Sequence, residues 1–77
     1  DSTRVEIFPH SKLEYPDDFF YSPRRVRLTG AAKFYIERGE KSFEILTISG
    51  DQYLEIKEGV VTVQDNGESI TVTEKQQ

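Results

Sequence analysis

The chain holds one histidine, His10, set between Pro9 and Ser11. Histidine is the side chain best suited to moving protons near neutral pH. A hydrolytic Ser-His-Asp set built here would need its nucleophile and base in contact, yet adjacent residues of a strand or turn point away from each other. No Gly-rich nucleophile elbow surrounds any serine. The sequence therefore predicts no catalytic residue and a chain that is not an enzyme, with a small hydrolase as the rival reading. A single His, scattered carboxylates and no Cys lack the ligand spacing of a metal site, so no metal and no cofactor are expected. Asp17 and Asp18, following Pro16, read as a turn cap.

The remaining reactive character is in arginines and aromatics. Ser22-Pro23-Arg24-Arg25, reinforced by Arg27, is the densest positive spot, and arginine's planar fork could clamp a carboxylate or another anion. The plainer reading, a solvated strand start beside Glu14, Asp17 and Asp18, is favoured, because exposed ion pairs contribute under ~1 kcal/mol and occur on most surfaces. Phe19, Phe20 and Tyr21 adjoin and cannot all point inward along a strand; closing the core under a turn is their expected role. Tyr35 and Tyr53 fall on the polar phase of their strands, which suits protein contacts. Arg24, Arg25, Tyr35 and Tyr53 are thus the candidate partner-contact residues. If Tyr21, Tyr35 and Tyr53 instead shared one concave face, the chain would be a small β-sandwich binding a ligand such as carbohydrate.

Those side chains must be positioned by very little protein. The 77 residues amount to a single domain, residues 1–77, too short for a cleft between two lobes. Leu, Ile, Val and Phe number 21, about 27%, above the roughly 20% under which chains stay disordered. A thin core is expected. The formal charge is -4 and uneven. Residues 1–38 carry seven basic and six acidic side chains, residues 39–77 three basic and eight acidic, so the C-terminal half stands at -5. Nucleic-acid binders need clustered Lys and Arg to displace counterions, and no nucleic-acid partner is expected. No run of ~18 apolar residues is present, so any membrane anchor is expected outside this stretch. The chain starts at Asp1 and holds no Met, which reads as a piece of a larger protein.

Strand formers (Val, Ile, Thr, Tyr, Phe) make up 27 residues, while Ala and Leu are scarce. Period-two alternation recurs at Val5/Ile7, Leu13/Tyr15, Val26/Leu28, Ala32/Phe34/Ile36, Phe43/Ile45/Thr47, Leu54/Ile56, Val61/Val63 and Ile70/Val72. An all-β fold follows. Three two-residue turns are expected. Asn66-Gly67, as type I′, would pair Val63 with Ile70 and Val61 with Val72. Gly39-Glu40 would pair Ile36 with Phe43 and Phe34 with Ile45. Gly50-Asp51 would pair Ile45 with Ile56 and Thr47 with Leu54.

A faint repeat runs through the chain. Val5, Ile7, Ser11, Leu13 and Tyr15 superpose at an offset of 21 on Val26, Leu28, Ala32, Phe34 and Ile36, and Leu54 to Val63 makes a looser third copy. Each copy reads as strand, tight corner, strand, with Pro9, Gly30 and Gly59 near the corners. Units of ~20 residues suggest a roll or short solenoid of antiparallel hairpins. Gly30 is expected at a corner where Ala31 and Ala32 let neighbouring backbone approach.

Val5-Glu-Ile7-Phe-Pro-His-Ser11-Lys-Leu13-Glu-Tyr15-Pro, Arg24-Arg25-Val26-Arg-Leu28-Thr-Gly30-Ala31-Ala32-Lys-Phe34-Tyr-Ile36 and Phe43-Glu-Ile45-Leu-Thr47 resemble the FecR family. Its pattern runs Arg-x-Val-x-Leu-x-Gly-Glu-Ala-x-Phe-x-Val, then a Pro-Phe-x-Val-x-Thr strand. Ile56-Lys-Glu58-Gly59-Val60-Val61-Thr-Val63 is similar to the family's Glu-Gly strand. Ala31 stands where the family has Glu and Ser42 where it has Pro, and its Gly-Thr-x-Phe-x-Val stretch is absent. The resemblance implies a periplasmic β domain of a single-pass anti-sigma regulator. Such a domain relays a signal from the signalling domain of an outer-membrane TonB-dependent transducer to an extracytoplasmic-function sigma factor, which binds a cytoplasmic segment outside this chain. The absent stretch predicts an uncovered sheet edge at Phe43–Thr47 or Leu54–Ile56, and there either a flanking domain that covers it in the parent protein or strand-to-strand association between copies of the isolated fragment.

Overall fold

The computed structural model describes residues 3–15, 25–39 and 41–75. The expectations for Pro16 to Arg24, which include the Asp17-Asp18 cap, the Phe19-Phe20-Tyr21 cluster and Arg24, lie outside the described residues. The all-β expectation is met. Eight strands are described: β1 (Arg4–Ile7), β2 (Lys12–Glu14), β3 (Arg25–Thr29), β4 (Ala31–Ile36), β5 (Phe43–Thr47), β6 (Leu54–Ile56), β7 (Gly59–Asp65) and β8 (Ile70–Lys75). They form two four-stranded sheets, β1-β4-β7-β8 and β2-β3-β5-β6.

Alternation puts one row of every central strand between the sheets. Ala32, Phe34 and Ile36 of β4 and Val61 and Val63 of β7 meet Val26 and Leu28 of β3 and Phe43 and Ile45 of β5 in a single buried cluster. The rings of Phe34 and Phe43 lie 5.8 Å apart at 53°, a tilted geometry that aromatic quadrupoles favour.

The chain changes sheet at short corners between β1 and β2, β3 and β4, and β6 and β7. The first two corners lie against each other. β1 pairs with β4, Ile7 opposite Ala32, and β2 with β3, Lys12 opposite Thr29, so residues 8–11 bulge around Gly30 and Ala31 as one antiparallel ribbon folds over. Gly30 adopts φ +90°, a region that suits glycine, and Ser11 fills the space where a Cβ would stand, its Oγ 2.5 Å from that position. The Ala31 N–H donates to Ser11 Oγ at 2.9 Å and the Phe8 N–H to the Ala31 carbonyl at 3.1 Å. Gly30 occupies the corner that the sequence predicts, and Ala32 is fully buried beside it while Ala31 is half-buried.

Three expected registers are corrected. β4 and β5 are not a hairpin: β4 pairs with β1 and β7, and β5 runs parallel to β3 with Val26 opposite Ile45. Glu40 of the expected turn lies outside the described residues. The alternation Phe34/Ile36 and Phe43/Ile45 fits two facing sheets as well as two neighbouring strands, and the segment between them crosses from one sheet to the other. β5 and β6 do pair, but Ile45 faces Leu54 and Phe43 faces Ile56, two residues from the expected register, because residues 48–53 form a longer loop. β7 and β8 also pair, with Val63 opposite Val72 and Asp65 opposite Ile70. A four-residue connection over 66–69 replaces the type I′ turn. Gly67 has φ +92°, while the Asn66 side chain accepts the N–H groups of Glu68 and Ser69 at 2.9 Å each, closing an Asx turn instead. Both shifts are by two residues, so every apolar side chain keeps its face.

The expected uncovered edge is also partly corrected. β5 is an interior strand between β3 and β6, and the edges are β1 and β8 in one sheet and β2 and β6 in the other.

Candidate functional site

The candidate contact residues divide between the two outer faces. On the β2-β3-β5-β6 sheet, Arg25 and Val26 alternate, so Arg25 points out while Val26 is buried. Parallel pairing sets Arg25 beside Glu44 of β5, and Arg25 Nε donates to Glu44 Oε1 at 3.0 Å. The Arg25 guanidinium also stands 4.6 Å from the centre of the Tyr53 ring. Glu44 and Tyr53 thus both hold the guanidinium in place. A guanidinium seated on a ring face and beside a carboxylate makes an ordered cationic and aromatic spot on the outer face of this sheet.

Tyr35 occupies the outer face of the opposite sheet. Its hydroxyl donates to Glu6 Oε1 at 2.7 Å, with the Arg4 guanidinium 4.2 Å and Lys33 Nζ 5.1 Å from its ring centre. Arg25 and Tyr53 are therefore brought together, and Tyr35 is not with them. The shared aromatic face required for carbohydrate is overturned for Tyr35 and Tyr53, since the core lies between them. Tyr21 lies outside the described residues.

His10 sits in the β1–β2 corner at φ +63° and is exposed. It borders a shallow cleft of about 320 Å³ shared with Pro9, Ser11, Gly30, Asp65 and Asn66. The Ser11 Oγ beside it accepts the Ala31 N–H, a structural duty. Among the described residues no cluster of three or more His, Cys, Asp or Glu could hold a metal ion.

The chain matches no family model, no curated protein and no solved structure. What it offers a partner must therefore be argued from its own surface.

Sequence reasoning missed one charged group of consequence. Asp65 ends β7 on the inward phase set by Val61 and Val63 and is buried. Its Oδ2 accepts the Ser49 N–H at 2.6 Å, and its Oδ1 accepts the Ser49 hydroxyl at 2.5 Å and the Gly67 N–H at 2.8 Å. Burial pushes this carboxyl up. The Ser49 hydroxyl and N–H and the Gly67 N–H outweigh that push, with the Thr47 hydroxyl, buried nearby without a closed hydrogen bond, adding to them; the pKa falls to about 2. The signal available in the sequence was an acid on the apolar phase of a strand. Its work is structural: it ties the loop after β5 to the end of β7, hence one sheet to the other.

Proposed function

We propose that this chain is a non-catalytic FecR-like signalling module. It lies on the periplasmic side of the bacterial inner membrane within a single-pass anti-sigma regulator. Its task is to pass the engagement of an outer-membrane TonB-dependent transducer to the membrane segment, and so to the sigma factor. The fold is read as a roll of hairpins bent over at the corners, a shape that can transmit a pull or tilt from one end to the other.

The observation that supports this reading is how the motif of the resemblance lies in the fold. Its apolar positions Val26, Leu28, Ala32, Phe34, Ile36, Phe43 and Ile45 are all core, and its Gly30 takes the positive φ of a corner closed by Ser11. The pattern is thus used as a pattern, with polar positions outside, where Arg25 and Tyr53 supply a held cation and an aromatic surface to the transducer. A glycan-binding reading gains nothing from the surface, because Tyr35 and Tyr53 do not share a face.

The absence of cysteine gives a direct test of location. With exposed Lys41 changed as Lys41→Cys in the parent protein, and any cysteine outside residues 1–77 changed to Ser, a membrane-impermeant maleimide should label the residue once the outer membrane alone is opened. Labelling that requires rupture of the inner membrane would overturn the proposal.

A further inference from the structure

Four strand edges are open among the described residues, and three are guarded. β2 and β6 are three residues long, and β1 carries the charges of Arg4 and Glu6. Short strands and edge charges are the usual protection against pairing with another chain. β8 is the least protected: it is six residues long, and its charges, Glu74 and Lys75, stand together at its end, leaving Ile70-Thr71-Val72-Thr73 an uncharged run of strong strand formers. Its inward face is also left over. Val63 is fully buried, yet its cross-strand neighbour Val72 is 43% exposed, so the cover given by the second sheet ends at β7. Ile70 packs near Gly50, whose Cβ position lies 3.2 Å from Ile70 Cδ1, and Ile48 beside that loop is 63% exposed.

We propose that β8 is a docking edge for a second copy of this chain, the two β8 strands pairing antiparallel about a two-fold axis to make one eight-stranded sheet. The occupant follows from register. A two-fold axis perpendicular to the sheet keeps both inward faces on one side, so it must pass through a residue and not between residues. Centred on Val72, it sets Val72 against Val72 of the second copy, Thr71 against Thr73, and Ile70 against Glu74. Apolar meets apolar at the axis, the threonines form the cross-strand pairs favoured on a solvated face, and no like charges meet among residues 70–74. The surface is separate from Arg25, Tyr35 and Tyr53 and holds whether or not the chain is a signalling module. Earlier in the chain the sequence placed self-association at β5 or β6; β5 is interior and β6 is short.

One strand pair buries less than the ~1,200 Å² of a stable interface, so the dimer is weak. Each copy carries -4, and salt screens that repulsion. The test is sedimentation equilibrium of residues 1–77 up to about 1 mM, a concentration that registers binding as weak as about 4 kcal/mol, at low and high NaCl. Dimer should appear, tighten with salt, and slow amide exchange across Thr71–Thr73. Val72→Lys, which puts like charges at the axis, should raise the dissociation constant at least about tenfold, and the gentler Val72→Thr should raise it several-fold with the unfolding midpoint of the dilute monomer unchanged. A chain monomeric at the highest concentration and salt, or a dimer indifferent to both variants, would overturn the proposal.

Discussion

Ser49 and Asp65 join the two sheets: backbone N–H and hydroxyl of one residue both reach the carboxylate of the other, at 2.6 and 2.5 Å. Ser49 follows the end of β5 in one sheet, and Asp65 closes β7 in the other. The contact explains why the β5–β6 connection is long, since a two-residue turn at Gly50-Asp51 would hold Ser49 within a hairpin.

Asp65→Asn should destabilise the fold by about 1–3 kcal/mol, because an amide group would face N–H donors that the carboxylate now accepts and leave one buried donor unsatisfied. Urea unfolding monitored by circular dichroism checks this. An unchanged midpoint would show that the contact is dispensable.

The acid limb of the stability curve should carry the mark of the same residue. Asp65 titrates at about 2 in the folded chain against 3.8 ordinarily, so the unfolded state binds the proton first as pH falls. Its contribution is complete above about pH 4 and is lost as pH falls through about 2. Unfolding midpoints measured between pH 6 and 2 should fall less steeply in Asp65→Asn than in the parent chain.

At the corner of the folded ribbon, Gly30→Ala should cost about 2 kcal/mol or more, combining a left-handed backbone with a Cβ 2.9 Å from Ser11 Cβ. Gly67→Ala should cost only the backbone part, about 1 kcal/mol, because nothing lies within 4 Å of its Cβ position. Ser11→Gly should recover part of the loss in Gly30→Ala, and thermal melts of the three variants and the double variant give the coupling directly.

For the outer-face cluster, a double-mutant cycle of Arg25→Ala and Tyr53→Ala should return a coupling of about 0.5–1 kcal/mol, with either single variant leaving the fold intact. A coupling near zero would mean that the Tyr53 ring does not help to hold Arg25.

Much of this fold was legible because alternation is a strong signal in short strands. Each of the eight apolar runs, from Val5/Ile7 to Ile70/Val72, falls in or beside one of the eight strands. Gly30 was legible as a corner for the same reason that it is glycine. Partners were less legible: Phe34/Ile36 and Phe43/Ile45 give the same pattern whether their strands are neighbours or face each other across the core. Turn lengths failed where side chains took over the backbone's hydrogen bonds, Asn66 in one loop and Asp65 with Ser49 in the other. Of the candidate contacts, polar phase identified Tyr35 and Tyr53 and the density of positive charge singled out Arg25, but which face each shares depends on sheet membership, which periodicity does not carry.

The central claim, that this domain relays transducer engagement to a sigma factor, is tested most directly in cells that express the parent protein with and without residues 3–75, each with and without the transducer. The readout is a reporter transcribed by the cognate sigma factor. The account expects reporter output to depend on the transducer with the domain present and to lose that dependence when the domain is deleted. The same transducer response from both proteins would contradict it.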